Sequence, residues 1–184
     1  MANFGNLDWT DGSMSVPGIY HILYFIEKSK ITAWPTLAPA PTSASEEVTY
    51  VGDFTLDALA TWKTIDCIDI KTAVISEAQG EIRSVSSNNK LTIKTSLTNE
   101  EATAFAKLGN NTDLIYIFRE KTSGKYRVCG SEMFTTFTRT TVDVGSDPTG
   151  ERGQTIEVES TDFMPFPFYE GAIVTDDGDA NPSV

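Results

Sequence analysis

The sequence predicts a mainly β protein: an antiparallel β-sandwich or barrel with one flanking α-helix and long loop and arm extensions. Three observations predict it. Short runs of alternating apolar and polar residues recur along the chain, separated by Gly, Asn, Asp and Pro turn signals. Only one stretch carries helix caps and a helical period. No alternation of strands with helices is present that would build a parallel sheet. At 184 residues the chain fits a single domain, because one core usually occupies roughly 100–200 residues. Hydrophobic residues make up 40%, enough apolar material to offset chain entropy, so a folded body is expected.

In chain order, residues 1–15 read as an N-terminal arm that carries Phe4 and Trp9. The run "GIYHILYFIEKSKI" is apolar on both faces, as suits a strand buried on both sides or one whose outer face meets a partner. Residues 32–47, "TAWPTLAPAPTSASEE", break every periodicity with Pro35, Pro39 and Pro41 and read as an extended, mobile loop. "EVTYVGDFTL" and "TWKTIDCIDIKTAVIS" are the next strands. In "GEIRSVSSNNKLTIKTSL" a β-hairpin is expected around Asn88 and Asn89, residues that tolerate positive φ.

The helix is expected over 98–109. Thr98 would cap it, Glu101 would complete a capping box, Ala102, Phe105, Ala106 and Leu108 would form the apolar stripe, and Gly109 would end it. A second hairpin follows in "DLIYIFREKTSGKYRVCGSEM", with "KTSG" as its turn. "FTTFTRTTVDV" is a Thr-rich strand, "GSDPTGERG" a loop, and "QTIEVES" alternates again. The sandwich is thus expected over 16–170. Residues 171–184 read as a small, acidic tail, mobile unless a neighbour holds it.

Charge narrows the partners. Asp and Glu total 26 against 14 Lys and Arg, a net charge of -12, which repels a phosphate backbone and disfavours tight nucleic-acid binding. A surface that nucleic acid slides past without sticking would want this sign. The start lacks a basic segment followed by an apolar core, and no apolar run nears the roughly 18 residues of a spanning helix, so synthesis in a cytoplasm and no membrane partner are expected. The sequon at Asn110 is read as a chance match.

No catalytic, metal or cofactor constellation emerges. His21 is the sole histidine and lies mid-strand without a cysteine or carboxylate cluster at ligand spacing, and it reads as a strand histidine satisfied by hydrogen bonding. No G-x-S-x-G elbow accompanies the serines. Asp66 and Asp69, three apart on a strand, would point to opposite faces, and "DDGDAN" lacks the closing glutamate of an EF-hand loop. The glycines of "GERG" and "SDPTG" have no Lys-Ser/Thr or helix after them to cradle a phosphate. Cys67 and Cys129 sit in strand-like runs and read as buried free thiols; a bridge is neither required nor excluded.

The aromatic run "DFMPFPFY" admits two readings. Phe163, Met164, Phe166, Phe168 and Tyr169 either tuck under the sandwich as an edge segment or form a rim that a neighbouring subunit covers.

The strand "VPGIYHILYF", the helix "TNEEATAFAKL" followed by "DLIYIF", the segment "YRVCGSEMFTTFTRTTVDVGSDPTGERGQTIEVES" and the closing "PFPFY" together resemble the major tail tube proteins of tailed bacteriophages, in particular those of long non-contractile tails. The likeness covers most of residues 16–170. It implies a structural virion protein, made in the host bacterial cytoplasm, whose copies close rings of six that stack into a hollow tube conducting DNA during ejection. Its partners would be copies of itself, other tail and connector proteins, and double-stranded DNA in passage.

By that likeness, the 32–47 loop with Trp34 and Pro39, and the hairpin at Asn88 and Asn89, are candidate subunit contacts. The arm with Phe4 and Trp9 and the segment Phe163, Met164, Phe166, Phe168 and Tyr169 are candidate latches. Asp66, Asp69, Glu77 and Glu81 are candidates for the lumen. The rival readings are another β-sandwich virion part (a tail terminator, head-tail connector or capsid decoration protein) and a carbohydrate-binding module stacking sugars on Trp9, Trp34 and Trp62. An enzyme ranks last.

Overall fold

The computed structural model describes residues 6–7, 14–145 and 152–180. In chain order its elements begin with β1 (Ile19–Glu27), β2 (Ile31–Ala33), β3 (Thr36–Leu37), β4 (Thr49–Val51), β5 (Thr55–Leu56) and β6 (Lys63–Asp66). β7 (Ala73–Gln79), β8 (Ser86–Thr95), the helix α1 (Glu100–Gly109), β9 (Leu114–Glu120) and β10 (Tyr126–Cys129) follow. The chain continues through β11 (Thr136–Asp143), β12 (Gly153–Asp162), β13 (Phe168–Tyr169), β14 (Val174–Thr175) and β15 (Gly178–Asp179). The mainly β expectation with one flanking helix holds.

A seven-stranded sheet runs β3-β4-β13-β10-β9-β1-β6, and a four-stranded sheet runs β11-β12-β8-β7. Only the β13–β4 pair in these sheets is parallel. The small sheet follows the period-two rule of a half-buried strand. Along β8, Ser87, Asn89, Leu91, Ile93 and Thr95 turn inward while Asn88, Lys90, Thr92 and Lys94 turn outward. By contrast β9 is buried at five consecutive residues, Leu114 to Phe118, because layers cover it on both sides.

Those layers define two cores. Between the sheets, Leu23, Tyr116, Phe118 and Cys129 meet Leu91, Ile93, Ile156 and Val158. On the far face of the large sheet, Tyr24, Ile26, Ile115, Ile117 and Val128 are covered by Phe54, Trp62, Tyr169 and Ile173. The outer face of β1 therefore packs against its own chain and needs no partner. Burying one such large side chain stabilises by roughly 1.5–3 kcal/mol. α1 seals one end: Phe105 sets its ring edge-on to Phe25 at 5.1 Å, and Gly109 lies close against Leu114.

Several local expectations are corrected. The β7–β8 turn occupies residues 80–85, where Gly80 (φ 104°) and Arg83 (φ 74°) take left-handed backbone. Asn88 and Asn89 lie inside β8, paired on one side to Glu77 and Ser76 and on the other to Thr161 and Ser160. α1 is capped by Asn99, whose side chain accepts the Ala102 N–H at 3.0 Å, so Thr98 is not the cap and Glu101 does not close a box. Leu108, expected in the apolar stripe, is 64% exposed.

Residues 32–47 are not a free loop. β2 pairs with β5, β3 with β4, and Pro35 is buried between them. The Glu46 carboxylate takes the Thr42 N–H at 2.8 Å, and these bonds hold its pKa below the usual value. Residues 171–180 are likewise no loose tail. Ile173 is fully buried, Thr175 bridges Trp62, and the Tyr126 hydroxyl donates to the Ala180 carbonyl at 3.4 Å. Gly171 is required there, since a Cβ would strike the Gly52 carbonyl and the Tyr169 ring.

Candidate assembly surfaces

The aromatic run divides. Phe166 and Tyr169 are core: Phe166 takes a left-handed φ of 39° and sets its ring edge-on to Phe118 at 5.4 Å. The Tyr169 hydroxyl donates to the Ala172 carbonyl at 2.8 Å and accepts the Phe54 N–H at 3.3 Å. Phe168 is half-buried beneath the Arg127 guanidinium, 3.9 Å from the ring centroid, a cation–π contact. Met164 is half-buried, and its carbonyl accepts from Asn89 at 3.2 Å. Phe163 alone is exposed, at 62%, edge-on to Phe134. A latch made of the whole run is excluded, because its two deepest rings are already spent inside.

The other expected contacts scatter. Trp34 is half-buried, 5.1 Å from the Phe54 ring, and Pro39 is exposed. Asn89 is wholly buried, accepting from Ser76 at 2.6 Å, and so cannot touch a neighbour; Asn88 is half-buried on the sheet's outer face. Phe4 and Trp9 lie outside the described residues. Trp62 is 1% exposed and has no face for a sugar.

The four lumen candidates do not share a surface. Asp66 closes β6, while Asp69 opens a short 3-10 turn, so the two are not on one strand. Asp69 accepts from Lys121 at 2.5 Å, a bond that draws its pKa below the usual carboxylate range. Glu81 sits in the β7–β8 turn. Only Glu77 lies on the outer face of the small sheet, bonded to Lys90 at 2.6 Å, which raises the lysine's pKa.

That outer face is an ordered polar surface built by four paired strands. Strand pairing aligns Phe137, Glu159, Lys90 and Ile75 in one row and Arg139, Glu157, Thr92 and Ala73 in the next. Opposite charges thus neighbour one another across strands, an arrangement that stabilises each pair by roughly 0.2–1 kcal/mol. Apolar side chains sit at the flanks: Phe137 is 62% exposed on β11, and Ile75 is 53% exposed on β7. β11 and β7 pair with a strand on one side only; on the other edge of β11 the Thr136 and Thr140 N–H groups donate to the side chains of Asp113 at 2.9 Å and Asn110 at 2.8 Å.

At one end of this sheet the turn with Ile82 and Val85, the loop with Met133 and the start of the aromatic run at Phe163 come together, all four exposed. The period-two pattern of "QTIEVESTD" could have placed Gln154, Ser160 and Asp162 inside had it been run to both ends. Asp162 is 3% exposed. Its Oδ1 accepts the Phe163 N–H at 2.7 Å, its Oδ2 finds no partner among the described residues, and burial pushes its pKa up to about 6. Cys67 and Cys129 are free and buried, and burial raises both thiols.

Among the described residues no three His, Cys, Asp or Glu side chains gather to hold a metal ion, and no helix is long and apolar enough to cross a membrane. No family model, curated protein or solved structure matches the chain.

Proposed function

We propose that the chain is a self-assembling virion component of the tail-tube type, its copies closing rings of six that stack into a conduit for DNA. One observation carries this: a four-stranded, wholly antiparallel sheet whose edge strands β7 and β11 pair with no further strand among the described residues, the Thr136 and Thr140 N–H groups on β11 being held meanwhile by the Asp113 and Asn110 side chains. An even number of alternating strands makes the two edge strands antiparallel to each other. β7 of one copy therefore meets β11 of the next with the ladder's sense preserved, and a head-to-tail contact of this kind closes a ring. Closure would pair both edges once Asp113 and Asn110 give up the Thr136 and Thr140 N–H groups to the incoming strand. In the unshifted register Ile75 of one copy lies beside Phe137 of the next, and each covers apolar surface that the monomer leaves in water.

In such a ring we assign the outer face of the small sheet to the lumen. Of the four carboxylates expected from the sequence Glu77 stays, joined by Glu157 and Glu159 and interleaved with Lys90, Lys94 and Arg139. DNA passing such a face meets alternating charge with no basic stripe to hold it. The burial of Trp62 counts against the sugar-binding alternative.

Negative-stain imaging of the purified protein tests the proposal. Long hollow tubes are the expected result; single closed rings or capsid-bound knobs would move the assignment to a terminator, connector or decoration protein, and a persistent monomer at high concentration would overturn it.

A further inference from the structure

A groove of about 490 Å³ lies between β6, the N-terminus of α1 and the start of β12, away from the outer edges of the small sheet. Phe25, Ile65, Phe105 and Ile156 give it an apolar floor. Gln154 lines it with a side chain only 3% exposed, and its amide Nε2 has no hydrogen-bond partner among the described residues. Native interiors rarely leave a buried amide donor unpaired, so the groove stands one acceptor short.

The free edge of β6 supplies more. The Cys67 N–H donates to the His21 carbonyl on β1 at 2.7 Å, while the Trp62 N–H donates the other way, to Val174 at 3.0 Å. Strand alternation therefore turns the main-chain groups of Thr64 and Asp66 outward. The chain's own β14 reaches this edge only at the Thr175–Trp62 bridge and then turns off into β15, leaving the outward groups of Thr64 and Asp66 uncovered. Charge marks the rim: Asp66 and Glu101 form no ion pair with any described residue, while Asp176 is already held by Lys63 and Thr61.

We infer that this groove docks an extended, basic segment of a different protein, which adds a strand to β6, gives a main-chain carbonyl to Gln154 and sets a Lys or Arg between Asp66 and Glu101. Pairing of an incoming strand with a sheet edge is an established mode of peptide recognition, main-chain bonds supplying affinity and flanking pockets supplying selectivity. Charge selects the source. Residues 1–15 and 170–184 contain no Lys or Arg, so neither of these segments of a second copy provides the cation.

The test is selection of a random dodecapeptide library on the immobilised full chain. Enriched peptides are expected to combine Lys or Arg with β-branched residues and to slow amide exchange at Thr64 and Asp66. Their binding should fall at least tenfold in Gln154→Leu. It should fall similarly in Glu101→Lys, an exposed helix position at which folding is not at stake. The inference is overturned by the absence of enrichment, by enriched peptides indifferent to both substitutions, or by synthetic peptides of residues 1–15 or 170–184 binding the groove as tightly. None of these results depends on whether tubes form.

Discussion

The two sheets use the same alternating strand chemistry and end in opposite conditions. The large sheet is covered on both faces by its own chain, through the small sheet on one side and the Phe54, Trp62, Tyr169 and Ile173 layer on the other. The small sheet is covered on one face only, and its edge strands β7 and β11 each lack a second partner strand, with Asp113 and Asn110 taking two N–H groups of β11. The difference separates the part of the molecule that holds the monomer together from the part that the proposed assembly would use. Substitutions in the covering layer should unfold the monomer, whereas substitutions on the open face should leave it folded and change what it joins.

The sharpest break in that contrast comes from Trp62→Ala. Trp62 is 1% exposed and packs on Phe54 at 5.4 Å, so the variant should lose about 3–5 kcal/mol in chemical denaturation. A loss below 1 kcal/mol would mean that the covering layer is dispensable.

Asp162 gives the next largest effect, and it lies on the inner face of the small sheet. In the unfolded chain it titrates near 3.8 and in the folded protein near 6, so the folded state holds the proton more tightly. Its contribution is fully present below about pH 3.8 and is lost as pH rises through 6. Asp162→Asn should therefore raise stability at pH 7.5 by on the order of 2 kcal/mol and change little at pH 4, as read from paired melting curves. Equal shifts at both pH values would remove the carboxylate's charge as the cause.

Asn99→Ala removes the helix cap and should cost about 1 kcal/mol, with the circular dichroism loss confined to the helical signal. The smallest effect on stability belongs to the open face. Ile75→Ser with Phe137→Ser should alter monomer stability by under about 0.5 kcal/mol while abolishing tubes in electron micrographs. Oxidative crosslinking sharpens the same point: Ile75→Cys mixed with Phe137→Cys should yield a disulfide dimer, because Cys67 and Cys129 are buried and do not compete. Tubes persisting in the double serine variant would locate the interface elsewhere.

Much of the architecture was legible where local chemistry decides it. The β9–β10 hairpin turns at "KTSG" as read, with Gly124 at φ 67° and the Gly124 N–H donating to Glu120. The two-faced apolar character of β1 left burial on both sides or a partner open, and the chain's own layers cover both faces. What eluded the sequence was nonlocal. Asn88 and Asn89 look like turn residues, but pairing to β7 and β12 outweighs a local preference for positive φ. The run from Phe163 to Tyr169 reads as uniformly greasy, and only the left-handed bend at Phe166 decides which rings enter the core. The lumen candidates scatter for a related reason: Asp66 ends β6 of the large sheet, while Asp69 and Glu81 lie in turns between strands.

One detail of the large sheet bears on timing during synthesis. β13, at residues 168–169, is inserted between β4 and β10, which were both made earlier. A nascent chain emerging from the ribosome holds these earlier strands apart until that last piece arrives, and the sheet cannot zip shut before then. Polysomes would thus carry chains whose large sheet stays incomplete until residues 168–169 have been made, although every strand of the small sheet precedes them.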